Sequence, residues 1–589
     1  MRTLTRASFT TGLIALAIHG SAGALASLPS AIDRIPADAI MVGGSSDIGG
    51  FFDRARSMMD AVGAGEAADG PLRQVAGFID APGMNRNGSA AVGILPGEDG
   101  EINWTDDDAA TLLIVPVTDF GAFVGSFGAD AAADGPTMVR IMGEIVYTRD
   151  LGGGFAAMGP EAWIVERASE GQLRSHRNSM GANTIRLAES SDVFFSVSIE
   201  RVGPSIEQGL NEFRTGLDDM AAMFGEEQPA MREVLGFVET VSTALIRDGR
   251  TAAYGMSIGG QGISMDFAAD FDEGSPTASY MVGSGGAVDL FGSLPDSQII
   301  LAMAMDTSSP RIKEIFGKMT ELASAMNPGQ GLGPSMGDMM EHSDGFAFVM
   351  GNTPSLLMGG MFTNMVQYQR SANPAKLLEA GKRYTLEMDG MEAEGITYRT
   401  QFREGAAEIE GVRLDEWGMQ MQFDPAEPGA QQAGMAMMMV FGAAGGPSGY
   451  YAATDKGVIT TFSRNTSLVR QVIEAERNAE IGLHRNAQIL AAHERLPANP
   501  DFVLHLSLGP VLQQVGGLMA MAGAGAPQMN VPADLAPISM GASMGDNGMH
   551  GRLFVPTDVV KVFGDLSQQF APPAAAPRQR DEEFRPRFE

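Results

Sequence analysis

Gly255-Met256-Ser257-Ile258-Gly259 fits the pattern Gly-x-Ser-x-Gly. In hydrolases that pattern holds a serine on a sharp strand-to-helix turn, where neighbouring amides can receive an oxyanion. The flanking residues here spell something different. Alternating residues lead in through Ala253 and Tyr254, and a glycine turn followed by a second alternating run, 263–271, leads out. The expectation is a β-hairpin with Ser257 in a structural position, since 75 glycines make the pattern easy to match. An exported serine hydrolase using Ser257 stands as an alternative.

The remaining candidates are weaker. Apart from His19, the histidines are His176, His342, His484, His493, His505 and His550, scattered without the spacing of a zinc site. His505 lies inside an apolar run and reads as a packed, hydrogen-bonded residue. Met336, Met339, Met340 and His342 cluster within seven residues. Thioethers beside an imidazole suit Cu(I), but methionine also fills core gaps. Met358, Met361 and Met365 have the spacing of a buried helical stripe. The acidic stretch 96–108 lacks the ligand spacing of a calcium loop. The glycine-rich pieces 259–262 and 327–334 have no Lys-Ser/Thr after them to make a phosphate loop. No cofactor and no metal is expected.

Composition narrows the classes of function. The chain has 589 residues and no cysteine, which removes disulfides, thiolate metal sites and cysteine nucleophiles together. A chain this long, 44% apolar, can bury a core without covalent staples. Its formal charge of −32 repels phosphate backbones, so nucleic acid is not an expected partner. Arg2 and Arg6, a short apolar stretch around Gly12–Ile18, and Ala24-Leu25-Ala26 follow the order of a secretory signal. Cleavage after Ala26 and export to the periplasm or beyond are expected, with no transmembrane segment in the mature chain.

The elements that must position these residues repeat themselves. "RIPADAIMVGGSSD" (34–47), "SLPDSQIILAMAMD" (293–306) and "RLPANPDFVLHLSL" (495–508) each set a proline before an extended apolar run. The spacing predicts strands at Ala39–Val42, Ile299–Met305 and Phe502–Leu508, the first ending in a "GGSSD" turn. Residues 192–210 match 501–516, both running from a strand (Phe194–Ile199 in the first) into apolar-Gly-Pro-x-apolar-x-Gln. Segment 144–168 matches 449–475 as strand, turn, strand, helix, and the hairpin 251–271 matches 536–556. Four matches in one order predict an internal duplication. The predicted fold is α+β, in two related lobes that are each a largely antiparallel sheet with helices packed on it. The predicted boundaries are a signal peptide (1–26), a first lobe (27–290), a second lobe (291–566) and a disordered tail (567–589), with the junction near Gly283–Gly292.

The "PADA" strand after a signal peptide, "LLIVPVTDFGAFVGSFG" (112–128) and "VYTRDLGGGFAAMGP" (146–160) are similar to uncharacterised exported proteins of planctomycete-type bacteria. The resemblance covers mainly the first half and implies export and an alternating strand–helix layout. It brings no active-site residue with it. The leading expectation is an exported, non-enzymatic binding or envelope-associated protein whose partner is another protein or an apolar small molecule. A carrier holding an apolar ligand between two lobes is a further alternative.

Overall fold

A computed structural model describes residues 27–570. Within that span it leaves out 64, 66–72, 74, 101–109, 133, 142, 172–173, 225–241, 315–316, 319–333, 354–361, 394–395, 424–433, 435–440, 442–445, 479, 522–530 and 533. The signal segment, most of the acidic stretch, Met358, Met361 and the tail from 571 onward lie outside the described residues.

The fold is α+β with a large antiparallel sheet. In chain order the strands are β1 (Met41–Ser45), β2 (Ala90–Leu95), β3 (Ala110–Pro116), β4 (Thr137–Ile141), β5 (Glu144–Gly152), β6 (Phe155–Gly159), β7 (Val193–Ser198), β8 (Gly249–Gly259) and β9 (Gly262–Phe271). They continue as β10 (Ile299–Asp306), β11 (Gly345–Gly351), β12 (Met365–Arg370), β13 (Glu392–Ala393), β14 (Ile396–Ile409), β15 (Val412–Phe423), β16 (Ser448–Ala453), β17 (Gly457–Thr461), β18 (Phe502–Leu506), β19 (Ile538–Gly545) and β20 (Gly548–Pro556).

These strands form one sheet rather than two, and every pairing in it is antiparallel. The centre of the sheet is the ladder between β9 and β20. Outward from β9 the order is β8, β7, β1, β2, β3, β6, β5, β4. Outward from β20 it is β19, β18, β10, β11, β12, β17, β16, β15. Strand for strand, the two sequences of neighbours coincide. Only β14 and the two-residue β13, beyond β15, have no counterpart.

Smaller features repeat with the strands. Pro36 bridges Ser175, and Pro295 bridges Gly482. The amide of His176 donates to the carbonyl of Ile35 (3.0 Å), and that of Leu483 to Leu294 (2.9 Å). The proline-led phrases thus fix where each first strand enters the sheet and tie it to the short helix before the next apolar strand.

Local sequence explains the elements. β4 reads Thr-Met-Val-Arg-Ile and alternates buried with exposed, the period-two pattern of a strand with one face on the core. The helix Ile48–Ala61 starts at Asp47, whose carboxylate accepts the Gly50 amide at 2.9 Å. Its Phe51, Phe52, Ala55 and Met58 face inward. Cores form on both sides of the central ladder: Leu112, Ile114, Leu187 and Phe194 in the first half, and Leu290, Phe291, Val349 and Val472 in the second.

Several expectations need correcting. Gly43, Gly44 and Ser45 are strand, not turn, paired with both β2 and β7. A Cβ on Gly43 would lie 2.6 Å from the Phe195 ring, so glycine here allows close packing on the sheet. Met365 opens β12 and belongs to no helical stripe. The junction residues 287–293 form two helical turns, and Leu290 and Phe291 are buried in the second core. Residues 567–570, assigned to the tail, complete the helix Thr557–Phe570.

Candidate functional site

Ser257 sits near the end of β8, in the hairpin that alternation predicts. It is buried, and its hydroxyl donates to the carbonyl of Ser190 at 3.3 Å. No helix follows the motif; the chain turns at Gly260-Gln261 into β9. Met336, Met339, Met340 and His342 lie on the helix Pro334–His342. Met339 packs against the cluster of Leu377, Trp417 and Tyr451, as a gap-filling methionine would. Among the described residues no three His, Asp or Glu side chains are placed to hold a metal.

The histidines do not stay scattered. His493 and His505 lie with ring centroids 4.9 Å apart, and each is 5.7 Å from Phe291. His505 Nδ1 is 2.8 Å from Ser539 Oγ. Burial, and then His493, pushes His505 down to about 3; burial, and then His484, pushes His493 down to about 4. Both are neutral core residues at ordinary pH. His176, in the first half, is lowered to about 4 by burial and then by Arg201.

Convergent polar groups appear elsewhere, where the two halves of the sheet meet. A cleft of about 400 Å³ lies there, its lining including Asn183, Arg186, Asn499, Ser543, Asp546 and His550. One wall is the helix Ala182–Ser190 of the first half; another is the β19–β20 hairpin of the second.

The helix is held by a carboxylate from β9. Its own N-cap residue, Gly181, supplies no side-chain bond. Asp270 Oδ1 accepts the Asn183 amide (2.8 Å) and Nδ2 (3.1 Å), while Oδ2 accepts the Thr184 amide (2.9 Å). A Cβ at position 181 would fall 2.2 Å from that carboxylate, so glycine is what lets Asp270 cap the helix from another strand. From this anchored turn Arg186 reaches Asn183 Oδ1 (3.0 Å) and Asp546 Oδ2 (2.7 Å), joining the first half to the hairpin tip of the second. That tip, Asp546-Asn547, takes positive φ at both residues, the geometry of a tight two-residue hairpin turn.

The opposite wall has its own anchor. The buried carboxylate of Asp501 accepts the amides of Ser284, Gly285 and Met544, each at 2.8 Å. It thereby fastens the connector between halves to β19.

Behind the cleft lies the centre of the ladder. Asp266 and Arg552 stand directly opposite each other there. Asp266 is fully buried, and its Oδ1 accepts Arg552 Nε at 2.7 Å and His550 Nε2 at 3.1 Å. Its Oδ2 is buried and has no hydrogen-bond partner among the described residues.

The sequence reading left Ser543, Asp266, Arg186, Asp270 and Asp501 unmarked. A signal for the first was present: Gly541-Ala542-Ser543-Met544-Gly545 is a second Gly-x-Ser-x-Gly, in the hairpin that matches the one carrying Ser257. No family model, curated protein or solved structure matches this chain.

Proposed function

We propose that the protein is an exported binding protein built from two related halves, and that the cleft between them receives a small polar ligand. The observation that carries this reading is that side chains of both halves build one cleft. Asn183 and Arg186 come from the first half, and Ser543, Asp546 and His550 from the second. Pockets where two units meet are a common place for ligands. The lining mixes an amide, a hydroxyl, an imidazole and an ion pair, which suits a molecule rich in hydrogen-bonding groups. The apolar alternative has less to support it: the hollow lined by Ile48, Phe51, Ala91 and Leu113 measures only about 70 Å³.

Duplication and fusion of an ancestral unit account for the shared order of neighbours. The first unit would supply β1–β9 and the second β10–β20, with β13 and β14 as later additions. The excess of acid (72 Asp and Glu against 40 Lys and Arg) favours a neutral or cationic ligand over a polyanion. No described helix is long and apolar enough to cross a membrane.

The test is a thermal-shift screen of the mature protein against small polar metabolites, followed by titration of each hit. Arg186 is exposed, so Arg186→Ala should leave the melting temperature nearly unchanged and weaken binding at least tenfold. Hits whose affinity is indifferent to Arg186→Ala and Asn499→Ala would place the ligand elsewhere. Export is tested separately: N-terminal sequencing of secreted material should begin at Ser27, and an intact Met1 in a membrane fraction would refute cleavage.

A further inference from the structure

We infer that the cleft between the halves is an acyl-transfer site for small polar esters, with Ser543 as nucleophile, His550 as base and Asp266 as orienting carboxylate. The inference rests on the proposal that the cleft is a ligand site.

Aligning the two hairpin turns, Gly260-Gln261 and Asp546-Asn547, sets Ser257 on Ser543, Ser264 on His550 and Asp266 on Arg552. The two copies have diverged at the positions where chemistry would need them to. Ser257 is buried, bonded to the Ser190 carbonyl, and faces another serine, Ser264, across its ladder. Ser543 lines the cleft and faces a histidine, His550, across its own. Directly opposed residues of an antiparallel pair carry their Cβ atoms about 4.5–5.5 Å apart on one face, within reach of a proton transfer after a rotamer change.

The imidazole is already oriented. Its Nε2 meets Asp266 Oδ1, so the proton on that nitrogen points to the carboxylate and Nδ1 carries the lone pair. Asp266 cannot swing away, being fully buried and held by Arg552 Nε. A fixed carboxylate behind a histidine selects one tautomer and stabilises the imidazolium once it forms. The Ser543 hydroxyl donates to the carbonyls of Ala498 (3.0 Å) and Asn499 (3.3 Å), and rotation about χ1 redirects it toward His550. Contacts between nucleophile and base commonly tighten only when substrate binds. Arg186 lines the same cleft and supplies positive charge for a developing oxyanion.

The reaction balances without any further reagent than water. Ser543 Oγ attacks the ester carbonyl carbon as its proton passes to His550 Nδ1. The carbon–oxygen bond to the alcohol breaks, and the alcohol leaves with that proton. Water then attacks the acyl-serine and gives a proton to Nδ1; the acid departs, and Ser543 Oγ recovers its hydrogen. A cleft of about 400 Å³ limits the substrate to a small molecule.

The experiment exposes the full mature protein to a fluorophosphonate probe, maps the modified peptide by mass spectrometry, and follows p-nitrophenyl acetate hydrolysis in parallel. Stoichiometric labelling at Ser543 is expected. It should be lost in Ser543→Ala, kept in Ser257→Ala, and slowed at least tenfold in His550→Gln. Unchanged melting of Ser543→Ala shows that any loss is chemical and not structural. No labelling of the wild-type protein, labelling at another serine, or full hydrolysis by Ser543→Ala would each overturn acyl transfer. If a polar ligand still binds in an Arg186-dependent way while no labelling occurs, the chemistry fails and the binding proposal survives.

Discussion

Asp266 meets Arg552 across the middle of the central ladder, and the alignment of the two halves makes these the same position in each. A strand pairing antiparallel with its own equivalent brings one residue face to face with itself. In a symmetric pair of identical units that residue would oppose a like charge. Two different residues at the position turn the repulsion into an ion pair with a buried acid. Removing one partner leaves the other charge uncompensated, which for buried pairs costs roughly 3–5 kcal/mol. Asp266→Ala should therefore lower stability in urea by about that much. The exchange Asp266→Arg with Arg552→Asp should be more stable than either single variant, and an exchange no better than Asp266→Arg alone would refute the pairing. A second prediction concerns the core histidines. His505, His493 and His176 are lowered to about 3, 4 and 4 in the folded protein, against an ordinary value near 6.5. Between those values and 6.5 the unfolded chain binds more protons, so stability falls as pH drops from about 6.5 toward 4. His505→Gln should flatten part of that slope in melting curves recorded from pH 7 to pH 4; an unaltered slope would show that the fold does not hold this imidazole neutral.

The helix Ala182–Ser190 has no side-chain cap of its own and takes one from β9. Asp270→Ala should cost about 1–2 kcal/mol, the value of a lost cap, and also slacken the Arg186–Asp546 link. Urea denaturation reads the loss of stability, and hydrogen exchange at Asn183 and Thr184, whose amides Asp270 accepts, should quicken as the cap is lost; unchanged exchange there would refute the cap. The elements themselves were legible. Alternation gave the hairpin around Ser257, and the proline-led phrases located the strands now seen at Ile299–Asp306 and Phe502–Leu506. The glycines at 43 and 44 misled, because a glycine inside a strand and a glycine in a turn look alike until the Phe195 ring that needs the space is known. The cleft was not legible for a related reason. Its acids act between elements far apart in the chain: Asp270 on residue 183, Asp501 on 284 and 544, Asp266 on 550 and 552. Periodicity describes which face a residue takes within its own element and is blind to the partner on another. Only the matched pair of Gly-x-Ser-x-Gly motifs, laid over the matched hairpins, carried that information in the sequence.

The central ladder between β9 and β20 is the direct hydrogen-bonded link between the two sets of strands, with Arg186, Asp270 and Asp501 fastening the connections around it. A protease site placed at the exposed Glu273-Gly274 should cut the backbone without parting the halves, because the ladder, running from Gly262–Pro556 to Asp270–Gly548, does not depend on that peptide bond. The nicked protein should elute from a sizing column as one species; two separate fragments under native conditions would show that the ladder does not hold alone. The same ladder also sets a waiting time. β9 ends at Phe271, and its partner begins at Gly548, almost the whole second half later. At roughly 5–20 residues per second of synthesis, that edge stays unpartnered for on the order of 15–60 s. An open strand edge is a template for pairing with other chains, and inward-facing charges are one of the devices that blunt it. Asp266 stands at the middle of that edge strand, turned toward the side that will be buried. Until Arg552 arrives, the Asp266 carboxylate makes the unfinished edge repel its own kind, so the residue that later locks the molecule together first keeps its half-made form from aggregating.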